Sequence, residues 1–394
     1  MSDAARLPRA VMIVTPRWTR NGGVGAHAQA SAAALAAHGV EVTVLAARAD
    51  SSEGPAHVIV SERLFDRGAD PATRVGDAAG ADVDVVHVHQ ADHPELVAYL
   101  RRGAPLVVSA HAYSACPSSV HYFRPGQECR RAHGPGCVAN MALRGCSHGR
   151  GPGAWREMYE RSLRALQALR HADLAVSYSS AVDRHLEQNG LERRAVVPLF
   201  STLPASPDHA ARPRRVLYAG RLVKPKGVDV LVRAAARVDC ELVVCGEGRE
   251  LEPLRRRARS LGIASRVTFT GWLDEASLAD QIAEAAVIAI PSLWPEPFGL
   301  VGVEAYAAAR PVVASDTGGV RDWMTEGVDG LAVPAGDVAA LAAALERLLG
   351  DDGLRERMGA AGRASVAARF EREHHVSALA AAYAAAGAAH AAAR

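Results

Sequence analysis

Short apolar runs alternate with longer alanine-rich or amphipathic stretches along most of the chain. The runs are rich in Val and Ile, and several end at Gly, His or Asp, which is typical of buried strands in a parallel sheet. The first series reads AVMIVTP, VEVTVLA, VDVVHVH, PLVVSAH and DLAVSYS. The second series reads RVLYAGR, CELVVCGEG, RVTFTGW, AVIAIPS, RPVVASD and GLAVPAG. Helical segments such as AWREMYERSLRALQALRH separate the runs, so the pattern predicts two successive α/β series.

The region between the two series, residues 201–215, is rich in Pro, Ser and charge, as linkers are. A chain of 394 residues also exceeds what one core usually serves. We therefore predict an N-terminal Rossmann-like domain over 1–200, this linker, and a C-terminal Rossmann-like domain over 216–365. Residues 366–394 end in low-complexity alanine and predict a terminal helix, for which packing against the N-terminal domain is one option.

Two open parallel sheets in one chain predict where ligands bind. In such sheets the ligand lies beyond the carboxyl ends of the strands. We expect two domains that face each other across a cleft, each binding part of a substrate pair.

Composition limits the classes of partner. Hydrophobic residues make up 49% of the chain and charged residues 22%, as in a globular protein. The formal net charge is +2, and basic groups such as Arg255–Arg257 are short, so nucleic acid is not an expected partner. No apolar run has the length of a secretory signal or a membrane span, which predicts a cytoplasmic protein.

Two glutamates, Glu296 and Glu304, flank a predicted helix start in EPFGLVGVE. Gly299 allows close approach to the backbone, and the helix N-terminus offers N–H groups to a phosphate. Eight residues span roughly 12 Å of helix, which suits a sugar at one end of a diphosphate and a ribose at the other. By spacing alone, a solvated pair of helix carboxylates is equally compatible.

Cations for a diphosphate follow another predicted strand. In RLVKPKGVDVLVRA, Arg221 and Lys226 lie at the strand end, just before a helix. An Arg can bind two phosphate oxygens and a Lys can neutralise a third. Alone this segment is more typical of a charged surface loop, but with the two glutamates it predicts a site for a diphosphate sugar.

The first predicted strand is followed by NGGVGAHAQA, in which Gly22, Gly23 and Gly25 permit a tight turn before a helix. The turn can bring backbone N–H groups to a phosphate or an acceptor, although a purely structural turn is as compatible. It lacks both the GxGxxG spacing and the Walker lysine, which argues against dinucleotide binding and ATPase chemistry.

Histidines follow two other strands of the first series. His111 ends PLVVSAH, where it is expected to point into the same cleft. His87, His89 and His93 form a denser group, for which packing and loop polarity are favoured over metal binding.

Four of the six cysteines fall in an irregular insertion, residues 112–150. Cys116, Cys129, Cys137 and Cys146 are separated by 12, 7 and 8 residues, without the CxxC pairs of a strong zinc motif. Such a loop needs a cross-link or a metal to hold a shape. A structural zinc is the first interpretation, with unmodified thiols, disulfides or an iron–sulfur cluster as alternatives. The other two cysteines, in an apolar strand, predict core thiols.

Taken together, these motifs resemble the retaining GT-B glycosyltransferases, which include sucrose synthases, bacterial glycogen synthases and phosphatidylinositol mannosyltransferases. The resemblance covers nearly the whole chain: the GGVG turn, the histidine after a strand, RLVKPKG, VVCGEG and the two-glutamate element. It implies that Glu296 binds hydroxyls of the donor sugar, that Arg221 and Lys226 bind the diphosphate, and that His111 lies beside the reacting sugar. The donor-binding set implied by the family is Gly22, Gly23, Gly246, Glu247, Leu273, Phe298, Gly299, Leu300, Val301 and Glu304, the last on the ribose.

The resemblance also implies a reaction. A sugar moves from a nucleotide diphosphate to a hydroxyl with retention of configuration, and no metal is required for catalysis. A UDP-sugar is favoured as donor, for example UDP-glucose or UDP-N-acetylglucosamine, and a soluble natural-product molecule as acceptor. A polysaccharide or lipid-linked glycan is the alternative acceptor. Some family members carry a comparable cysteine-bearing insertion, and we expect it to shape acceptor choice. The rivals from other classes are a sugar-nucleotide epimerase and a non-catalytic sugar-nucleotide-binding scaffold.

Overall fold

The computed structural model describes residues 6–19, 23–50, 55–89, 92–119, 128–147, 151–204 and 211–394. The chain divides into two compact units. The first unit comprises the chain up to Ser119, Arg130–Pro198 and Arg372–Arg394. The second comprises Val120–Cys129 and Leu199–Glu371. The chain therefore leaves the first unit after Pro198 and returns to it at Arg372 for its last helix.

Parallel strands form the centre of the first unit. They are β1 (Ala10–Trp18), β2 (Glu41–Ala49), β3 (His57–Val60), β4 (Val85–His89), β5 (Leu106–Ala110), β6 (Leu174–Ser177) and β7 (Arg194–Val196). Their order in this seven-stranded sheet is β3-β2-β1-β4-β5-β6-β7. Every residue of β4, β5 and β6 is buried, which explains why the central strands read as continuous apolar runs.

Helices of the first unit follow the strands in the order expected for β/α units. They are α1 (Gly23–Ala37), α2 (Pro71–Val75), α3 (Pro94–Leu100), α4 (Gly136–Leu143), α5 (Pro152–His171), α6 (Ser180–Gln188) and the terminal α13 (Arg372–Ala392). The terminal helix α13 contacts α1, β5 and β6. Near its end, His390 Nδ1 lies 3.0 Å from the buried Asp173 carboxylate, which Arg101 also contacts at 2.7 Å.

The second unit repeats the plan with a six-stranded parallel sheet of order β10-β9-β8-β11-β12-β13. The strands are β8 (Arg215–Ala219), β9 (Glu241–Cys245), β10 (Val267–Gly271), β11 (Val287–Ile290), β12 (Val312–Ser315) and β13 (Gly330–Val333). The helices are α7 (Val228–Ala235), α8 (Leu251–Ser260), α9 (Glu275–Glu284), α10 (Leu300–Ala307), α11 (Val338–Leu349) and α12 (Asp352–Arg369). Apolar clusters cover both faces of the sheet. The prediction of two Rossmann-like α/β domains is thus confirmed.

Two strands of the first sheet, β3 and β7, were not among the predicted runs. Both lie at the edges of the sheet, where residues are partly exposed and the strands are only four and three residues long. An edge strand buries little side-chain surface, so its sequence need not be apolar. Within the described residues, none of the helices combines the length and apolar content needed to cross a bilayer.

Candidate active site

The carboxyl ends of β8 and β9 in the second unit are tied together by glycine backbone. The Gly220 N–H donates to the Cys245 carbonyl at 3.0 Å, and the Leu222 N–H donates to the Glu247 carbonyl at 2.7 Å. Gly246 has φ +136°, and a Cβ there would lie 2.0 Å from the Gly220 oxygen. Only glycine fits this position, so the VVCGEG motif serves close packing of two loops at the strand ends.

A partly buried ion pair forms after the end of β11. The Lys226 ammonium donates to both carboxylate oxygens of Glu296, at 2.7 and 3.0 Å. Glu296 is 2% exposed and also accepts hydrogen bonds from the Ser292 hydroxyl and, at 3.1 Å, from the Trp294 indole N–H. The two motifs that carried the sequence prediction, RLVKPKG and EPFGLVGVE, therefore meet in one contact.

The protonation state of Glu296 follows from these partners. Burial alone would raise the pKa of this carboxyl, but the Lys226 charge and the three hydrogen-bond donors outweigh burial and hold the pKa below its usual value. Glu296 is thus ionised at neutral pH. A lysine ammonium has three donors, and two are used on Glu296, which leaves one for an anionic ligand such as phosphate.

The backbone around Glu296 is fixed by Gly318, which sequence reasoning did not single out. Glu296 pairs with Gly318 in an isolated parallel bridge, and the Gly319 N–H donates to the Glu296 carbonyl at 2.7 Å. A Cβ on Gly318, whose φ is +64°, would lie 2.2 Å from that carbonyl oxygen. The Gly318 N–H donates to the carboxylate of Glu128, a residue of the cysteine-bearing insertion, at 3.2 Å. The GG pair after β12 is the sequence signal that could have found this support.

Helix α10 begins directly after the ion pair. Gly299 has φ +91° at the N-cap, and the N–H groups of Leu300 and Val301 donate no hydrogen bond within the described part of the chain. These bare N–H groups and the helix dipole favour an anion. A Cβ on Gly302 would lie 2.2 Å from the buried Trp323 ring, so the small residues of GLVG bring this helix close to the core.

Phe298, which the family resemblance assigns to the donor-binding set, directly precedes the N-cap Gly299 of α10. Its side chain is buried and packs edge-to-face on Phe370, with ring centroids 5.8 Å apart. Its carbonyl accepts a hydrogen bond from Trp323 at 2.7 Å. The side chain is therefore committed to the core, and its role is to fix the turn that precedes Gly299.

Glu304 lies within α10 and is 8% exposed. Among the described residues, its carboxylate makes no hydrogen bond and no ion pair. Burial, followed by the charge of Glu275, raises the pKa of Glu304 to about 7. A buried carboxyl without a protein partner is well suited to accept hydrogen bonds from ligand hydroxyls, as the ribose assignment requires.

The remaining predicted donor residues lie on the exposed edge of the same unit. Arg221 is exposed and its guanidinium makes no hydrogen bond or ion pair with any described residue, so it can turn to a phosphate. Glu247 is exposed, with its carboxylate 3.5 Å from the Trp272 N–H. Leu273 is half-buried against the core, while the neighbouring Trp272 is 54% exposed.

In the first unit, Gly22 lies outside the described residues. Gly23 begins α1, is exposed, and would have nothing within 4 Å of an added Cβ. Gly25 is buried, and a Cβ there would lie 2.6 Å from the Thr19 side chain. The glycine motif thus divides into one position required for packing and one whose backbone is open to a ligand.

His111 follows β5 and is partly exposed. Its Nε2 lies 2.9 Å from Nδ1 of His89, the last residue of β4. Burial lowers the pKa of His111 to about 3, so its ring is neutral at physiological pH. His93 lies apart from this pair, with its Nε2 2.9 Å from the Phe65 carbonyl, and no metal-binding group of His, Cys, Asp or Glu is found among the described residues.

No disulfide joins the cysteines of the insertion in the part of the chain that the structure describes. The Ser118 hydroxyl lies 3.3 Å from Cys116 Sγ and 3.9 Å from Cys146 Sγ. Because the described residues, these four cysteines included, contain no assembled metal-ligand set, the structural zinc stays a prediction. Cys245 is the last residue of β9 and Cys240 directly precedes the strand; both side chains are buried, as core thiols are.

Known proteins match the chain over both units. The family described as Glycosyltransferase Family 4 matches residues 21–200, and the family described as Glycosyl transferases group 1 matches residues 201–365. Phosphatidyl-myo-inositol mannosyltransferase of Mycobacterium leprae is 31% identical over 372 residues, which cover 88% of each chain. Alpha-D-kanosaminyltransferase of Streptomyces kanamyceticus is 36% identical over 148 residues, which cover 36% of this chain and 38% of that one.

Among solved structures, Anabaena HepE in complex with UDP-glucose superposes with a TM-score of 0.70 at 18% identity, covering 94% of this chain and 98% of that chain. The likeness extends over the sheets of both units. From the matched families, the full-length relative and this fold, the chain belongs to glycosyltransferase family 4, the retaining, nucleotide-sugar-dependent hexosyltransferases of GT-B fold.

Proposed function

We propose that this glycosyltransferase uses a UDP-sugar as donor and transfers its hexose to a hydroxyl of a soluble natural-product molecule. The arrangement of side chains and N–H groups at the start of α10 supports a nucleotide-sugar donor. There a partly buried Lys226–Glu296 pair precedes two bare N–H groups, and the unpartnered Glu304 follows on the same helix.

Each part of this arrangement matches one part of a nucleotide sugar. The Glu296 carboxylate is ionised and can accept hydrogen bonds from sugar hydroxyls. The third Lys226 donor, the N–H groups of Leu300 and Val301, and Arg221 suit the diphosphate. Glu304 suits the vicinal hydroxyls of the ribose. The two cations and the two N–H groups offset the negative charge that develops on the departing diphosphate, which is where such donors lower the barrier most.

The proposed step exchanges one bond at the anomeric carbon. The acceptor oxygen forms a bond to that carbon while the bond from the carbon to the diphosphate oxygen breaks. The electron pair leaves with the diphosphate, and the acceptor proton passes to a phosphate oxygen of the leaving group. Attack from the face that the diphosphate leaves gives retention of configuration.

UDP is preferred to GDP because Anabaena HepE, which shares the fold, was solved with UDP-glucose bound. The exposed Trp272, next to Glu247 at the strand ends, offers an aromatic face on which a base of either kind can stack.

A partial match supports a natural-product acceptor. Alpha-D-kanosaminyltransferase, by its name a transferase of an amino sugar, matches the chain at 36% identity over 148 residues. A second candidate is favoured by the longer match, since phosphatidyl-myo-inositol mannosyltransferase covers 88% of this chain. In that case the donor is a mannose nucleotide and the acceptor is an inositol headgroup in a lipid surface.

Calorimetric titration distinguishes the donors. The purified protein is titrated with UDP, GDP, UDP-glucose, UDP-N-acetylglucosamine and GDP-mannose, with the Glu304→Ala variant as the matched control. We expect the uridine nucleotides to bind at least about tenfold more tightly than GDP, a difference of about 1.4 kcal/mol, and the variant to bind them about 10- to 100-fold more weakly than the unchanged protein. Tighter binding of GDP and GDP-mannose would overturn the UDP proposal in favour of the second candidate.

The acceptor is then identified with the donor that binds. Nucleotide release is measured with a panel of soluble polyhydroxylated small molecules and, separately, with vesicles containing phosphatidylinositol, and products are identified by mass spectrometry. Transfer to the soluble panel supports the proposed acceptor class. Transfer only to vesicles contradicts it.

A further inference from the structure

His111 belongs to a larger group of rings buried in the first unit. We call His27, His87, His89, His111 and His375, with Tyr178 and Tyr383, the histidine cluster. His27 lies 5.5 Å from His111 and 5.3 Å from His375 between ring centroids, and His87 lies 4.3 Å from His89. Two members come from α13, at the far end of the chain. Only His111 of this group was singled out by sequence as a candidate for chemistry.

Proton positions in part of the cluster follow from hydrogen-bond chemistry. His375 Nδ1 lies 2.8 Å from the Pro198 carbonyl, which can only accept, so His375 carries its proton on Nδ1. Its Nε2 therefore accepts from the Ser31 hydroxyl at 3.0 Å. A hydroxyl has only one proton, and Ser31 gives it to His375. His27 Nε2 lies 3.3 Å from the same oxygen and must therefore donate in that contact. Each tautomer fixes the next.

The same reasoning applies to His89 and His111. One proton lies between His89 Nδ1 and His111 Nε2, which are 2.9 Å apart. Burial lowers the pKa of both rings, so neither is charged at neutral pH. If His111 donated, His89 would carry its proton on Nε2, and that atom is buried without a hydrogen-bond partner in the described structure. If His89 donates from Nδ1, its Nε2 carries no proton, and only an acceptor lone pair is left without a hydrogen bond.

The two arrangements differ in cost. A buried N–H without an acceptor loses a full hydrogen bond with water, and such orphans are rarer in proteins than under-satisfied acceptors. The second arrangement is thus favoured. It leaves His111 with its proton on Nδ1, an atom that makes no hydrogen bond to any described residue in a side chain that is partly exposed.

We propose that His89 is a positioning residue that donates from Nδ1 to His111 Nε2 and so holds His111 as a neutral imidazole with its N–H at the exposed Nδ1. In this state His111 donates a hydrogen bond to a substrate oxygen and does not accept a proton from the acceptor hydroxyl. The inference about substrate rests on the proposed function, whereas the tautomer does not depend on it.

The tautomer is tested directly by nitrogen-15 NMR of histidine-labelled protein at pH 7, without any ligand. The His111 signals are identified by their loss in the His111→Asn variant, and two-bond correlations from the ring protons show which nitrogen carries the proton. We expect a protonated Nδ1 and an unprotonated Nε2. A proton on Nε2, or a charged ring, overturns the proposal whatever the donor and acceptor prove to be.

Variants of His89 test whether the positioning matters. In His89→Leu the donor is lost, and we expect His111 to leave the Nδ1 tautomer. We expect kcat to fall about 10- to 100-fold, as it does when the hydrogen-bond partner that orients a metal-ligating histidine is removed. In His89→Asn the amide can still donate from a similar position, so kcat and the tautomer should largely recover. His93→Asn is the matched control, because His93 is buried but contacts Phe65 rather than His111.

A purely structural role for His89 gives a different result. It predicts that Leu and Asn variants lose unfolding free energy while His111 keeps its Nδ1 proton and kcat per folded molecule is unchanged. That outcome overturns the positioning role. Nucleotide binding by calorimetry, measured on the same variants, separates a failed donor site from a failed positioning residue.

Discussion

The two units bury ionisable groups in opposite ways. In the first unit, burial keeps the histidine cluster neutral, and its members satisfy one another through tautomers. In the second unit, Glu296 keeps its charge in an ion pair with Lys226, and Glu304 is a lone carboxyl whose pKa burial raises to about 7. The contrast follows the tasks we assign. The neutral His111 donates a hydrogen bond to a substrate oxygen, whereas Lys226 meets the diphosphate with positive charge and Glu296 accepts hydrogen bonds from sugar hydroxyls as a carboxylate.

Lowering the pH should produce the largest difference between the two units. The folded pKa of each histidine in the cluster lies below the ordinary 6.5, for example about 3 at His87 and about 4 at His375, so unfolding takes up protons as pH falls below about 6.5. Between its unfolded and its folded pKa, each such histidine lowers the unfolding free energy by up to about 1.4 kcal/mol for every unit by which the pH falls. Glu304 has the opposite sign, because its raised pKa favours the folded state as pH falls from about 7 toward 4.5.

We expect hydrogen exchange at pH 5.5 to accelerate first in β4, β5 and α13, before β9 and β12. The His375→Gln variant, which cannot titrate there, should reduce the pH slope of the unfolding free energy by about one proton. Equal acceleration in both units would contradict the contrast.

Removal of Lys226 tests the charged unit. In Lys226→Met the Glu296 carboxylate stays buried without a cation, and we expect a loss of roughly 3–5 kcal/mol of unfolding free energy. We also expect kcat to fall about 10²- to 10³-fold, as for other donors to developing charge. Urea unfolding and steady-state kinetics measure the two effects.

The double variant Lys226→Met with Glu296→Gln is the control for this pair. It removes the unpaired charge, so most of the unfolding free energy should return while kcat stays low. Stability losses that simply add in the double variant would show that the pair is not coupled.

Glu304 predicts a smaller effect, on the pH dependence of donor affinity. If its ionised form binds the ribose, the affinity for a UDP-sugar should rise with pH up to about 7, the value to which burial raises the Glu304 pKa, and then level off. In Glu304→Gln the affinity should be independent of pH, and in Glu304→Ala it should fall about 10- to 100-fold, the value of 1.5–3 kcal/mol for hydrogen bonds to a charged group. Calorimetry at pH 6, 7 and 8 measures this; a pH-dependent affinity in Glu304→Gln argues against the assignment.

The glycines of the first unit give the smallest effect. An alanine at Gly23 meets nothing within 4 Å, so the unfolding free energy should change by less than about 1 kcal/mol, but donor affinity should fall if a phosphate approaches this backbone. Gly25→Ala should cost about 1–3 kcal/mol of stability, because its Cβ would lie 2.6 Å from Thr19. Unchanged donor affinity in Gly23→Ala would remove this position from the site.

Local pattern was enough to predict the central strands and the two charged motifs. Strands such as β5 are buried on both faces and therefore apolar throughout, and Lys226 and Glu296 each follow a strand that ends at the same edge of one sheet. The edge strands β3 and β7 were missed because partial exposure leaves no apolar period.

Contacts between distant parts of the chain could not be predicted in this way. Ser31 and His375 are 344 positions apart, and nothing in either segment indicates that they share a hydrogen bond. The sequence around Phe298 likewise does not indicate that its side chain packs on Phe370 in the core. Gly318 supports Glu296 from another loop, and its signal is only a glycine pair.

The last helix has a consequence for synthesis of the protein. Tyr383 and His375 of α13 provide partners for His87 at 2.9 Å and for Ser31 at 3.0 Å, in strands and helices made hundreds of residues earlier. While the ribosome is still adding the second unit, those polar groups must remain in contact with water or find other partners. The first half of the chain therefore cannot complete its interior until residues Arg372–Arg394 have been made and have left the ribosome.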